Sequence, residues 1–164
     1  LNGVNAATVE RLSALRQRLA GLAARQQPPG LTEPDEGGTE RWEAAQVWAH
    51  LAEFVAYWHA QLASVIDSYD GEPVPFGRTK ADAARIEAIE VGRHLLVGDL
   101  AAKVDADIAA LSAYLATLDT SAWAAHGLHP RRGVMGARAI VDEFVVDHLD
   151  EHARQLEDLA AAQA

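Results

Sequence analysis

The chain has 164 residues, 49% of them apolar, and a formal net charge of −10 with a pI near 5.0. That size and composition fit one globular domain, residues 1–164, with a sizeable core. The charge repels a phosphate backbone, and no Lys/Arg cluster exceeds Arg131-Arg132, so neither nucleic acid nor an anionic membrane surface is an expected partner. Cysteine is absent, which excludes disulfides, thiolate ligands and a cysteine nucleophile, and fits a cytoplasmic setting.

Residues Leu1 to Arg11 lack the basic and apolar regions of a secretory signal. No apolar run approaches the roughly 20 residues that a membrane span needs. Alanine is abundant and β-branched runs are scarce, which favours helix over strand.

The first periodic segment covers residues 5–26. Val9, Leu12, Leu15, Leu19 and Leu22 recur at spacings of three and four, tracing one helical face, and Pro28-Pro29-Gly30 ends it. Residues 31–38 are polar and carry Pro34, Gly37 and Gly38, so a loop is expected. A second helix over 40–69 is capped by Thr39, with Val47, Leu51, Phe54, Trp58, Leu62 and Val65 as its buried face. The spacing of Thr79 and Asp82 suggests a capping box for a third helix over 79–118. Its core face holds Ile86, Ile89, Leu96, Leu100, Val104, Ile108, Leu111 and Leu115, and Gly92 and Gly98 are places where it can bend. A loop with Gly127, Pro130 and Gly133 follows, anchored by Trp123. The fourth helix, 134–160, buries Ile140, Val141, Phe144, Val145, Leu149, Leu156 and Leu159. Four amphipathic helices and no sheet predict an all-α four-helix bundle. The long connections on either side of the third helix call for a crossover.

The chemistry sits in the histidines. His148 and His152 are spaced i, i+4 on the fourth helix, one above the other on the face of Val141, Phe144 and Val145. Two imidazoles so placed can share one ion at about 2.0–2.1 Å each. His50, beside Val47, Leu51 and Phe54 on the second helix, is a third candidate ligand; the alternative is a core histidine bonded to a backbone carbonyl. A three-histidine set leaves a position for water or substrate. His59 and His94 fall toward polar helix faces, and His126 and His129 lie in the loop before the fourth helix.

The elements Trp42…Trp48-Ala49-His50-Leu51, Trp123…Gly127-Leu128-His129-Pro130…Gly133 and His148-Leu149-Asp150-Glu151-His152, in that order, resemble the DinB/YfiT-like superfamily, particularly its branch similar to mycothiol-dependent maleylpyruvate isomerases. The resemblance covers nearly the whole chain. It implies a bundle in up-down-down-up order and a zinc or nickel ion held by His50, His148 and His152. It also implies homodimers and transfer chemistry with a low-molecular-weight thiol such as mycothiol on a small-molecule substrate. In the isomerase-like branch the position of His148 is often a carboxylate, so the all-histidine set looks closer to the broader group.

Three activities stay open at this point. A thiol-dependent transferase or isomerase would take its sulfur from outside the chain, with Arg78, Arg85 and Arg131 as candidate rim cations. A metal-dependent hydrolase is suggested by the H-x-x-E-H string at His148–His152, although Glu151 lies about 100° from His152 around the helix and is expected to face solvent. A non-enzymatic metal-binding bundle is the third. Trp48, Phe54 and Trp123 are candidate walls of a cavity over the ion, near the N-terminal half of the second helix and the C-terminal half of the fourth; the alternative for these aromatics is core filler. No catalytic or cofactor-binding residue is assigned.

Overall fold

In the computed structural model, which describes residues 3–34 and 39–162, long helices account for most of the chain. α1 spans Gly3–Ala23, α2 Ala44–Ser68, α3 Ala83–Gly92, α4 Val97–Thr117, α5 Ala137–Val141 and α6 Asp147–Ala161. Short strands β1 (Val74–Pro75), β2 (His126–His129) and β3 (Gly133–Gly136) form one small sheet.

The bundle order can be read from side-chain pairs. Arg16 bonds Asp105 and Asn5 bonds the Leu115 carbonyl, so α1 and α4 are antiparallel. Arg11 pairs with Asp147 and Arg18 with Glu157, so α1 and α6 are parallel. His50 meets His152 while Trp58 stacks on Phe144, so α2 runs against α6. The order is therefore up, down, down, up, as the resemblance implied. α2 and α4 run the same way, and β1 and α3 form the crossover between them. The core is one cluster reaching from Leu12 on α1 to Leu159 on α6.

The helix boundaries differ from expectation at three points. α2 starts at Ala44 rather than residue 40, because Glu43 and Gln46 close a reciprocal capping box there; Thr39 is not the cap. The expected third helix is two helices. α3 is capped by Asp82, which accepts from the Arg85 N–H, and ends at Gly92. There a Cβ would stand 2.8 Å from the Ala49 Cβ, so only glycine lets α3 lie this close to α2. Turn bonds then reverse the chain, and Leu96 opens α4. Ile86 and Leu96, expected in the core, are exposed; Arg85, Ile89 and Gly92 are the buried residues of α3.

The third difference is the sheet. β1 pairs in parallel with β2, and β2 antiparallel with β3, placing His129 opposite Gly133. Pro130, Arg131 and Arg132 form the connecting loop, and Gly133, the strand residue after it, takes φ +74°, a backbone conformation open to glycine. The sheet packs at the edge of the bundle, where a side chain at Gly127 would collide with Phe76. Residues 133–136 are strand, so the last helix begins at Ala137. α5 and α6 are joined without interruption by a π-helical stretch, Asp142–Val146, with the Asp147 N–H reaching back to the Asp142 carbonyl. The wider turn lets adjacent Val145 and Val146 both face the core, and it sets the azimuth at which His148 and His152 leave the helix. No helix among the described residues is long and apolar enough to cross a membrane.

Candidate metal centre

His50 from α2 and His148 and His152 from the first two turns of α6 come together. The Nε2 atoms of His50 and His148 are 3.0 Å apart, and those of His152 and His148 are 3.1 Å apart. Among the described residues this is the group of metal-ligand type whose donor atoms converge, all within 4.8 Å of one another.

The outer nitrogens explain the inward ones. His50 Nδ1–H donates to Glu53 Oε1 at 2.8 Å, and His152 Nδ1–H to Gln155 Oε1 at 2.8 Å. His148 Nδ1 lies 3.4 Å from Glu151 Oε2. Each partner is three residues further along the same helix, on the neighbouring part of the helix face. At His50 and His152 the acceptor at Nδ1 fixes the proton there and leaves the Nε2 lone pair pointing inward. The inward lone pairs of His50 and His152 both lie about 3 Å from His148 Nε2, and with His148 in the same tautomer a divalent cation at the meeting point would accept all three. The donor set thus fits a metal such as zinc or nickel.

Electrostatics favour the neutral ligand form. Burial, then the other two imidazoles, then Arg85 and Arg78, hold His50 well below the usual histidine range. Burial pushes Glu53 up, while its bond to Arg78 pulls it back. That Arg78 Nη2–Glu53 Oε2 contact is 2.5 Å, and the Arg78 guanidinium lies 3.9 Å from the Tyr57 ring centre.

The floor of the centre is Phe54, buried, with its ring 4.9 Å from that of His148. Trp42 forms a wall, edge-on to His50 at 5.0 Å and stacked on His152 at 5.8 Å. The open side is at His148, whose side chain is 29% exposed against 4% for His50. A cleft of about 370 Å³ between residues 31–34 and the C-terminal half of α6 is lined by Glu151 and Gln155, but by none of the three histidines.

Other expectations resolve differently. Trp48 is core: it is fully buried and donates its Nε1–H to Gln27. Trp123 lies under Arg138 and makes no ring contact with the cluster. His94 and His126 are exposed, and His59 packs half-buried on Tyr114. His129 is buried but outside the cluster, among Trp58, Phe76 and Phe144. Arg78 and Arg85 are not rim cations but largely buried, whereas Arg131 is exposed. The Arg85 guanidinium hydrogen-bonds the Lys80 carbonyl and lies over Trp42, 3.7 Å from the Glu40 carboxylate. Glu151 is turned to the outer nitrogen of His148, which removes it from the position of a general base in an H-x-x-E-H site.

Sequence and fold comparisons agree on the class. A sequence model of the DinB superfamily matches residues 9–156, and the chain belongs to that superfamily. No curated protein matches its sequence significantly. Among solved structures, it is similar to YfiT from Bacillus subtilis, described as a probable metal-dependent hydrolase with an unusual four-helix bundle topology. The TM-score is 0.74 at 17% identity, over 97% of this chain and 87% of that one. It is also similar to the mycothiol-dependent maleylpyruvate isomerase, with TM-score 0.68 and 17% identity over 93% of this chain. This chain spans 60% of the isomerase's length.

Proposed function

We propose that the protein is a metal-dependent transferase or isomerase that works with a low-molecular-weight thiol of the mycothiol type on a small-molecule substrate. The observation that carries this is the convergence of three Nε2 atoms, with His50 and His152 held from behind at Nδ1 and one side open at His148. Three neutral ligands leave the full positive charge of a zinc or nickel ion available to an anion. When bound, the ion would hold an external thiol as its thiolate, which the chain cannot supply itself because it has no cysteine.

The chain's own residues then bind and exclude. Phe54 and Trp42 keep the inner faces of the centre dry. Arg78 is committed to Glu53, and Arg85 to the Lys80 carbonyl and the nearby Glu40 carboxylate, so neither is counted as a cation for substrate or cofactor. The acidic surface argues against nucleic-acid and membrane partners, and a homodimer and a cytoplasmic setting complete the proposal.

A second reading, hydrolysis by a metal-activated water, is supported by the fold shared with the probable hydrolase. Against it, Glu53 and Glu151 face outer imidazole nitrogens rather than the open side, so neither is placed as a base for water. Metal-replete protein assayed with thiols and electrophilic acceptors, beside an ester and amide panel, separates the two. Thiol-dependent turnover lost in His50→Ala supports the transferase. Turnover of the ester or amide panel without thiol supports the hydrolase, and neither turnover leaves a metal-binding bundle.

A further inference from the structure

We propose that His129, which is not a ligand, is a positioning residue for the metal centre, acting through Arg78 and Glu53 on His50. The inference rests on the metal-centre reading above and extends it to the small sheet.

The links are all short. In the hairpin loop, the backbone N–H groups of Arg131 and Arg132 both donate to His129 Nδ1, at 3.2 Å each. Two donors at Nδ1 require its lone pair, so the proton is on Nε2. That Nε2–H donates to the Arg78 carbonyl oxygen at 3.2 Å. The Arg78 guanidinium donates to Glu53 Oε2, and Glu53 Oε1 accepts the proton of His50 Nδ1.

Arg78 belongs to no helix or strand, so something must hold it. Its neighbour Gly77 has φ +86° and no room for a side chain against the His129 ring, and the Gly77 N–H is tied to Gln61 at 2.6 Å. The ring of His129 is itself boxed by Trp58, Phe76 and Phe144. Among the described residues, His129 is therefore the group that fixes the backbone of Arg78 from the sheet side. Without it, the backbone carrying the Arg78 guanidinium is released, and the Tyr57 ring and Asp82, 3.7 Å away, are left to hold that side chain against Glu53. This gives the sheet a role: it is a brace for the buried ligand of α2, some distance along the fold from α6.

The test is a double-mutant cycle on zinc affinity, measured by competition with a chromophoric chelator. His129→Asn keeps an acceptor near the Nδ1 position for the loop N–H groups and removes only the reach to Arg78. His129→Phe, which keeps the ring in its box and loses both sets of bonds, is the second variant and is judged by the same rule. Each is combined with Glu53→Gln. Loss of an outer hydrogen-bond partner weakens metal binding by roughly 10–100-fold. The expected result is about tenfold weaker zinc binding in either His129 variant, no further loss when it is added to Glu53→Gln, and recovery in His129→Gln, whose amide N–H can again reach the Arg78 carbonyl. Imidazole 15N spectra of the metal-free protein should show His50 protonated at Nδ1 in the wild type and a mixture of tautomers in His129→Asn. Wild-type zinc affinity in both His129 variants, or losses that simply add to that of Glu53→Gln, overturns the proposal. If the wild type binds no metal, the metal reading fails separately, and an unchanged His50 tautomer in His129→Asn then overturns the positioning role.

Discussion

Replacing His152 by alanine removes a ligand that is almost completely buried, with Trp42 stacked on its ring and Gln155 on its outer nitrogen. Because the three nitrogens form a site only in the folded chain, metal binding should appear as thermal stability. Zinc at about 100 times its dissociation constant adds about 2.7 kcal/mol. For a domain of this size each kcal/mol is worth roughly 2–4 °C, so the melting temperature should rise by roughly 5–11 °C over the chelator-treated protein. Two remaining imidazoles hold an ion far less tightly; a loss of affinity of about 100-fold reduces the stabilisation at the same zinc concentration to about 0.4 kcal/mol, or roughly 1–2 °C. The comparison is made within each variant by scanning calorimetry, with chelator and with zinc, so any cost of the substitution to the metal-free fold cancels. A zinc-dependent shift in His152→Ala equal to that of the wild type would refute the reasoning.

The metal-free protein should lose stability as pH falls below about 6.5. Burial keeps His50, His129 and His59 below the ordinary histidine value when folded, so the unfolded chain takes up protons first. Their contribution is whole above that pH and lost on acidification through the folded values, while Glu53, pushed up by burial, works the other way nearer pH 4.5. Urea unfolding at pH 7.5 and 6.0 measures this, and equal midpoints would contradict it. Gly77→Ala should destabilise the fold by about 1–3 kcal/mol, through a strained φ of +86° and a collision with His129; chemical denaturation reads it, and a neutral result would mean the brace is loose. Glu151→Gln should change zinc affinity by less than about threefold, because its contact with His148 is long and 40% exposed, whereas Glu53→Gln should cost roughly 10–100-fold. Equal losses would mean that burial does not rank the two carboxylates.

The four apolar stripes and the i, i+4 histidine pair were legible in the sequence because helical periodicity repeats over many residues. The sheet was not: β2 alternates exposed and buried over only four residues, among glycines and a proline that read as loop. The break after Gly92 is hidden in the sequence because Ile86 and Leu96 continue the apolar spacing although both are exposed, and the close packing of Gly92 on Ala49 is a tertiary contact. Trp48 and Trp123 were expected at the centre because aromatic residues near a ligand look like walls, but only burial separates wall from filler. Of the seven histidines, only His50, His148 and His152 are followed three residues later by Glu or Gln, and those are the residues found at their outer nitrogens. Arg78's attachment to Glu53 left no such trace, since 25 residues and a crossover separate them.

The central claim is that His50, His148 and His152 hold one divalent ion. Elemental analysis of protein purified without a histidine tag and then reconstituted with zinc or nickel, alongside the three single alanine variants, tests it most directly. The account predicts one ion per chain in the wild type and well under one in each variant after gel filtration. Full occupancy in any of the three variants, or none in the reconstituted wild type, would contradict it.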